Sequence, residues 1–114
     1  MTIGITATRL ELTPSLTAYI KEKMGAVGKL LVRFEQEGEH ELFFEIARAT
    51  RHHRHGDVFY AEATLTLPGK TLRIEEYAAD AHAAIDAVKD RLKVDIKKYK
   101  DRRVAKIARS RPGR

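Results

Sequence analysis

Five apolar residues, Phe59, Ala61, Ala63, Leu65 and Leu67, alternate without interruption and run into Pro68-Gly69, after which Leu72 and Ile74 restore the same period of two. Alternation of this length puts the apolar side chains on one side of an extended chain. Proline presets φ at the first turn position and glycine accepts a positive φ at the second. Residues 58–77 are therefore expected to form a β-hairpin with one face to bury, and the rest of the chain must supply its cover.

The flanking segments carry matching signals. Ile3, Ile5 and Ala7 alternate with Gly4 and Thr6 over 2–8, a short strand. Leu42, Phe44 and Ile46 alternate against Phe43, Glu45 and Ala47, another strand. Thr13-Pro14 opens a helix, because the threonine can cap free amides and proline fits the first helical position. Leu16, Ile20, Met24, Val27 and Leu31 follow at steps of three and four. Gly25 and Gly28 each cost a helix about 1 kcal/mol against alanine, so close packing or an early helix end is expected there. The stretches 34–41 and 48–57 read as an acidic loop and a polar turn. A last helix is expected from Asp80, a capping residue, to about Arg103, with Ile85, Val88, Leu92, Ile96 and Tyr99 on one face.

The order β-α-β-β-β-α, with one-sided helices and strands, predicts an α/β (α+β) fold: a four-stranded sheet with both helices on one face. A right-handed crossover through the first helix would lay the first strand parallel to a neighbour. The opposite sheet face would carry Tyr60, Glu62, Thr64, Thr66, Arg73 and Glu75, too polar for a second core. The 114 residues suit one domain, read as 1–103, followed by a disordered basic tail over 104–114.

The absence of cysteine excludes disulfides, zinc–thiolate sites and cysteine nucleophiles. Met-Thr-Ile-Gly-Ile at the start has no basic segment leading into an apolar one, and no apolar run nears the roughly 18 residues that span a bilayer. The expectation is a soluble, cytoplasmic protein.

Charge separates along the chain. Residues 89–114 hold 12 of the 22 Lys/Arg and 3 of the 16 acidic residues, a local +9 that leaves −3 on residues 1–88. A weakly acidic body with a cationic helix is the footprint of a surface that meets a polyanion, most often nucleic acid. On a wheel of the last helix, Lys89, Lys93, Lys97 and Lys100 climb one flank, while Arg91, Lys98 and Arg102 climb the other, with Arg103 beside them. Asp86, Asp90, Asp95 and Asp101 are interleaved but do not neutralise the rows. Lys21, Lys23 and Lys29 would widen the patch if the two helices lie side by side. Such rows read phosphates, giving affinity and register without base discrimination. Only Tyr60 and Tyr77 among the strand aromatics are expected to face outward, and no pair of the RNA-recognition-motif kind is present, which disfavours base stacking on the sheet.

His53, His55 and Asp57, in the run 51–57, have side chains that suit a divalent ion. Arg51 and Arg54 beside them disfavour a cation, and a solvated or phosphate-touching loop is the preferred reading, so no metal or cofactor is expected. Enzyme motifs are missing: there is no Gly-rich phosphate loop, no Gly-x-Ser-x-Gly and no His-Glu-x-x-His, and Glu75-Glu76 would point to opposite faces of a strand. A binding protein, rather than an enzyme, is expected.

Three segments resemble one known family, the ribosome hibernation-promoting factors, also called ribosome-associated inhibitors or sigma-54 modulation proteins. They are Ile3-Gly-Ile-Thr-Ala-Thr-Arg-Leu-Glu-Leu-Thr13-Pro14; Tyr60-Ala-Glu-Ala-Thr-Leu through Leu67-Pro-Gly-Lys-Thr-Leu-Arg73; and Asp80-Ala-His-Ala-Ala-Ile-Asp86 with Arg91-Leu92 and Lys98-Tyr99-Lys100. The chain departs from the pattern at Ala81-His82, where the family usually has Met-Tyr, and at Val94, often basic. The resemblance implies a double-stranded-RNA-binding-domain-like fold that docks on the small ribosomal subunit and its ribosomal RNA. It would occupy the channel of messenger RNA and of A- and P-site tRNA, holding ribosomes inactive in stress or stationary phase. It assigns RNA contacts to Arg91, Lys98, Lys100 and Arg102, and implies a short form, monomeric when free, with a separate ribosome-dimerising factor as an open further partner. The alternative left by charge alone is a general structured-RNA binder or chaperone.

Overall fold

The computed structural model describes residues 1–32, 40–49 and 58–110, with side chains described up to Ala105. The elements follow the expected order: β1 (Thr2–Thr8), α1 (Pro14–Lys29), β2 (Glu41–Arg48), β3 (Phe59–Leu67), β4 (Lys70–Ala78) and α2 (Ala81–Ser110). The sheet runs β1-β2-β3-β4, with β1 parallel to β2 and the other pairs antiparallel. The parallel pair is closed through α1.

Local chemistry sets the boundaries. The Thr13 hydroxyl accepts from the Leu16 amide at 3.1 Å and Pro14 occupies the first turn of α1. Asp80 caps α2, accepting from the Ala83 amide at 2.8 Å. Gly69 holds φ +74° in the β3–β4 turn, a conformation that disfavours a side chain. The two helix glycines of α1 answer differently. A Cβ at Gly28 would meet the Met1 Cε at 2.9 Å, so the N-terminus packs there; one at Gly25 would meet nothing within 4 Å.

One core joins all the layers. Leu16, Ile20, Met24 and Val27 of α1 and Ile85, Val88, Leu92, Ile96 and Tyr99 of α2 pack on Leu42, Phe44, Ile46, Leu65 and Ile74 of the sheet. Ala61 and Ala63 of β3 and Ala84 of α2 are fully buried, and their small side chains let helix and sheet approach closely. Both helices therefore cover one face, as expected. His40 is an exception within this interior: it is 1 % exposed and neither ring nitrogen has a hydrogen-bond partner among the described residues.

The other face is open. Glu45, Glu62 and Glu75 stand opposite one another across β2, β3 and β4. Arg73 binds Glu62 (2.6 Å) and Glu75 (3.0 Å), and the Tyr60 hydroxyl donates to Glu62 at 2.8 Å. Partial burial pushes the Glu62 pKa up, but the donors Tyr60 and Arg73 outweigh it and hold the carboxyl below its ordinary value. Phe43, 58 % exposed, lies against Gly4, where a Cβ would come within 3.1 Å of its ring.

The end of the last helix differs from expectation. α2 passes Arg103, its expected end, and continues to Ser110. The apolar stripe stops at Tyr99, yet Val104-Ala-Lys-Ile-Ala-Arg contains no breaker and several good helix formers. Thirty residues make a helix about 45 Å long, well beyond the roughly 30 Å of a nine-residue strand. Residues 111–114 lie outside the described residues.

Candidate nucleic-acid interface

α1 and α2 run side by side over the sheet and leave a cleft of about 480 Å³ between their outer surfaces. Its walls carry Lys21, Lys23 and Lys29 from α1 and Lys89 and Lys93 from α2, with Glu22 as the acidic member. The i, i+4 and i+8 spacing of Lys21, Gly25 and Lys29 puts cations on the rim and the glycine between them. Gly25 and Ala26 keep the floor open. Lys23 stands 5.1 Å over the Tyr19 ring, and Lys89 reaches Asp90 at 3.3 Å; Lys21, Lys29 and Lys93 have no ion pair among the described residues. Asp86, which is not among the cleft's lining residues, accepts the Tyr19 hydroxyl at 2.7 Å. That hydrogen bond, with partial burial, pushes the Tyr19 pKa up to about 12.

The remaining cations divide. Arg91 is tied to β4, through Glu76 at 2.7 Å and the Glu75 carbonyl at 3.5 Å. Lys100 donates to the Leu30 carbonyl at 3.1 Å, where the end of α1 favours a positive charge. Arg103 is half-buried, 5.8 Å over the Tyr99 ring. Lys97 is exposed on the outer ridge of α2. Lys98 and Arg102 lie on the far flank, in a separate cleft shared with Lys70. The four cations assigned by resemblance are thus not one plate: two serve as ties and two face the β3–β4 turn. The coherent surface is the five-lysine cleft, read from charge and spacing. Lys70 escaped the sequence reading, since its place beside α2 depends on how the hairpin packs.

The lysines are compact charges and no aromatic residue is among the cleft's described lining residues, so the cleft suits phosphate rather than base recognition. His53, His55 and Asp57 lie outside the described residues. Among the described residues no group of three possible metal ligands occurs, and no helix is long and apolar enough to cross a membrane.

Residues 3–104 match the family model described as sigma 54 modulation protein / S30EA ribosomal protein. The chain is 29 % identical over 101 residues to a ribosome hibernation promotion factor of Lactococcus lactis, and 27 % identical over 103 residues to one of Deinococcus radiodurans. The alignments cover 87 % and 90 % of this chain but 49 % and 51 % of those proteins, so the chain spans about half the length of these relatives. Among solved structures, it resembles the N-terminal domain of Thermus thermophilus Protein Y with a TM-score of 0.67 and 32 % identity, covering 87 % of this chain and 99 % of that one. A ribosomal subunit interface protein from Coxiella burnetii shares the fold, with a TM-score of 0.71 at 18 % identity, over 89 % of this chain and 99 % of that one.

Proposed function

The chain belongs to the sigma 54 modulation protein / S30EA ribosomal protein family, and from that premise we propose that it is a translation silencer that docks on the small ribosomal subunit. It occupies the path of messenger RNA and of A- and P-site tRNA and keeps ribosomes inactive under stress. The observation that carries this reading is the cleft in which Lys21, Lys23, Lys29, Lys89 and Lys93 converge on a rigid two-helix platform. Converging, largely unpaired lysines are an electrostatic seat for ribosomal RNA backbone. Names borne by relatives support the ribosome as the bearer of that RNA. The function is one of binding and asks for no catalysis and no cofactor.

Sucrose-gradient sedimentation with purified ribosomes tests the proposal, together with cell-free translation. Co-migration with the small subunit and with intact ribosomes, weakening as salt rises, and suppression of translation are expected. Equal affinity for ribosomes and for arbitrary RNA duplexes would instead make the protein a general structured-RNA binder, and salt-insensitive binding would remove the mechanism.

A further inference from the structure

We propose that the outer edge of β1 is a self-pairing interface, at which a second copy of this chain adds its own β1 antiparallel and extends the sheet to eight strands. The inference goes beyond the RNA-binding reading and does not rest on it. It departs from the monomer that the resemblance implies for the free protein.

β1 ends the sheet, and its outer side has no pairing strand among the described residues. The Thr2 amide donates to the His40 carbonyl at 3.0 Å, so the backbone groups of Thr2, Gly4, Thr6 and Thr8 turn toward β2. By the alternation of a strand, those of Ile3, Ile5 and Ala7 point away from the sheet. Edge strands are ordinarily guarded by charge, proline or cover. β4, the other edge, carries Lys70, Arg73, Glu75 and Glu76, and Arg91 of α2 reaches the Glu75 carbonyl at 3.5 Å. β1 reads Thr-Ile-Gly-Ile-Thr-Ala-Thr, with neither charge nor proline. Its core-side residues are incompletely covered as well: Ile3, Ile5 and Ala7 are half-buried, while Leu42, Phe44 and Ile46 beside them are buried.

The strand complements itself in one register. With a two-fold axis through Ile5, the outward groups of Ile5 meet those of the second copy's Ile5, and Ile3 meets Ala7 on either side, giving about six backbone hydrogen bonds. The same register sets Ile5 beside Ile5 and Ile3 beside Ala7 on the helix side of the sheet, covering side chains that one copy leaves half-exposed. On the open side, Thr6 of the second copy falls opposite Gly4. The missing side chain there lets the exposed Phe43 ring lean over the glycine, where it meets the threonine methyl group.

Charge completes the fit. Arg9 follows β1 with φ 56°, the one positive φ outside glycine among the described residues. Such a backbone is uncommon for a residue with a long side chain. It ends the strand and leaves an exposed guanidinium at the end of the free edge. Glu41, also exposed, stands beside Thr2 on β2. Neither Arg9 nor Glu41 has an ion pair among the described residues. In the antiparallel dimer Thr8 lies opposite Thr2 of the second copy, so each Arg9 comes beside the other chain's Glu41, twice by symmetry. The axis is perpendicular to the sheet, so both helical faces and their lysine clefts look the same way. One seven-residue strand against its copy is an interface at or below about 1,200 Å², so the association is weak and reversible.

The test is sedimentation equilibrium of the full chain, free of RNA, from about 5 to about 500 µM. Wild type passes from a one-chain to a two-chain mass across that range. Ala7→Pro removes an outward amide and no hydrogen bond to β2, so it keeps the fold, as checked by circular dichroism and thermal melting, and stays monomeric throughout. Arg9→Glu and Glu41→Arg each weaken the dimer by about 2- to 30-fold or more, the loss of two exposed ion pairs, and the double variant Arg9→Glu/Glu41→Arg restores wild-type association. If the proline variant does not fold, the charge exchange carries the test alone. A wild type that is still monomeric at about 500 µM overturns the proposal. So does a dimer that persists in folded Ala7→Pro, or one whose affinity is indifferent to the charge exchange, since another surface would then hold it.

Discussion

Replacing Lys21, Lys29 and Lys93 together by glutamine removes three charges from the five-lysine cleft without touching the core. None of the three is engaged in an ion pair among the described residues, so the fold is expected to keep its stability. Each phosphate contact contributes about 0.7 to 0.9 to the slope of log affinity on log salt, depending on whether the RNA is single- or double-stranded. The variant's slope should therefore be shallower by about 2.1 to 2.7. Between 50 and 200 mM salt, the ratio of wild-type to variant affinity should shrink about 20- to 40-fold. Fluorescence anisotropy of labelled protein titrated with small subunits, at four or more salt concentrations, measures this directly. Lys100→Gln supplies the contrast, because its amine is committed to the Leu30 carbonyl. It should leave the slope unchanged and cost about 1 kcal/mol of stability. A triple variant that loses affinity equally at every salt concentration, or whose slope moves by less than one, would refute the assignment of these lysines to phosphates.

Three further outcomes follow from particular contacts. His40→Leu, which replaces a buried ring with two unpartnered nitrogens by an apolar side chain, should stabilise the protein by about 1–2 kcal/mol in urea unfolding. Tyr99→Phe should cost about 1 kcal/mol and speed amide hydrogen exchange in the β3–β4 turn, which loses its tie to α2. Tyr19, raised from 10 to about 12 in the folded protein, adds stability that is complete below pH 10 and lost as pH rises to 12. Wild-type stability should accordingly fall more steeply across that window than that of Tyr19→Phe, as followed by chemical denaturation at each pH.

The alternation of 59–67, the Pro68-Gly69 turn and the caps Thr13 and Asp80 made the elements and their order legible, because each signal acts within a few residues of itself. The one-sided polarity of β3 and β4 then placed both helices. The end of α2 was not legible: the apolar stripe read from the sequence stops at Tyr99, and helix propensity beyond it is a weaker signal than a face to bury. In the candidate site, helical spacing put Lys89 and Lys93 on one flank, and only the adjacency of α1 had to be supposed to bring in Lys21, Lys23 and Lys29. Arg91 and Lys100 carry the same charge and sit on the same helix. Their engagement with Glu76 and with the Leu30 carbonyl depends on residues 15 and 70 positions away, which no pattern within α2 encodes.

The carboxylate row Glu45–Glu62–Glu75 lies on the reverse of the sheet from the lysine cleft. The molecule consequently has a permanent electrical front and back. Near a polyanion it experiences a torque that turns the helices forward, so encounters arrive already aligned instead of depending on rotational search. In the proposed docking the glutamates would face away from the RNA and, with Arg73 offsetting part of their charge, would leave a weakly negative surface that disfavours a second strand on that side.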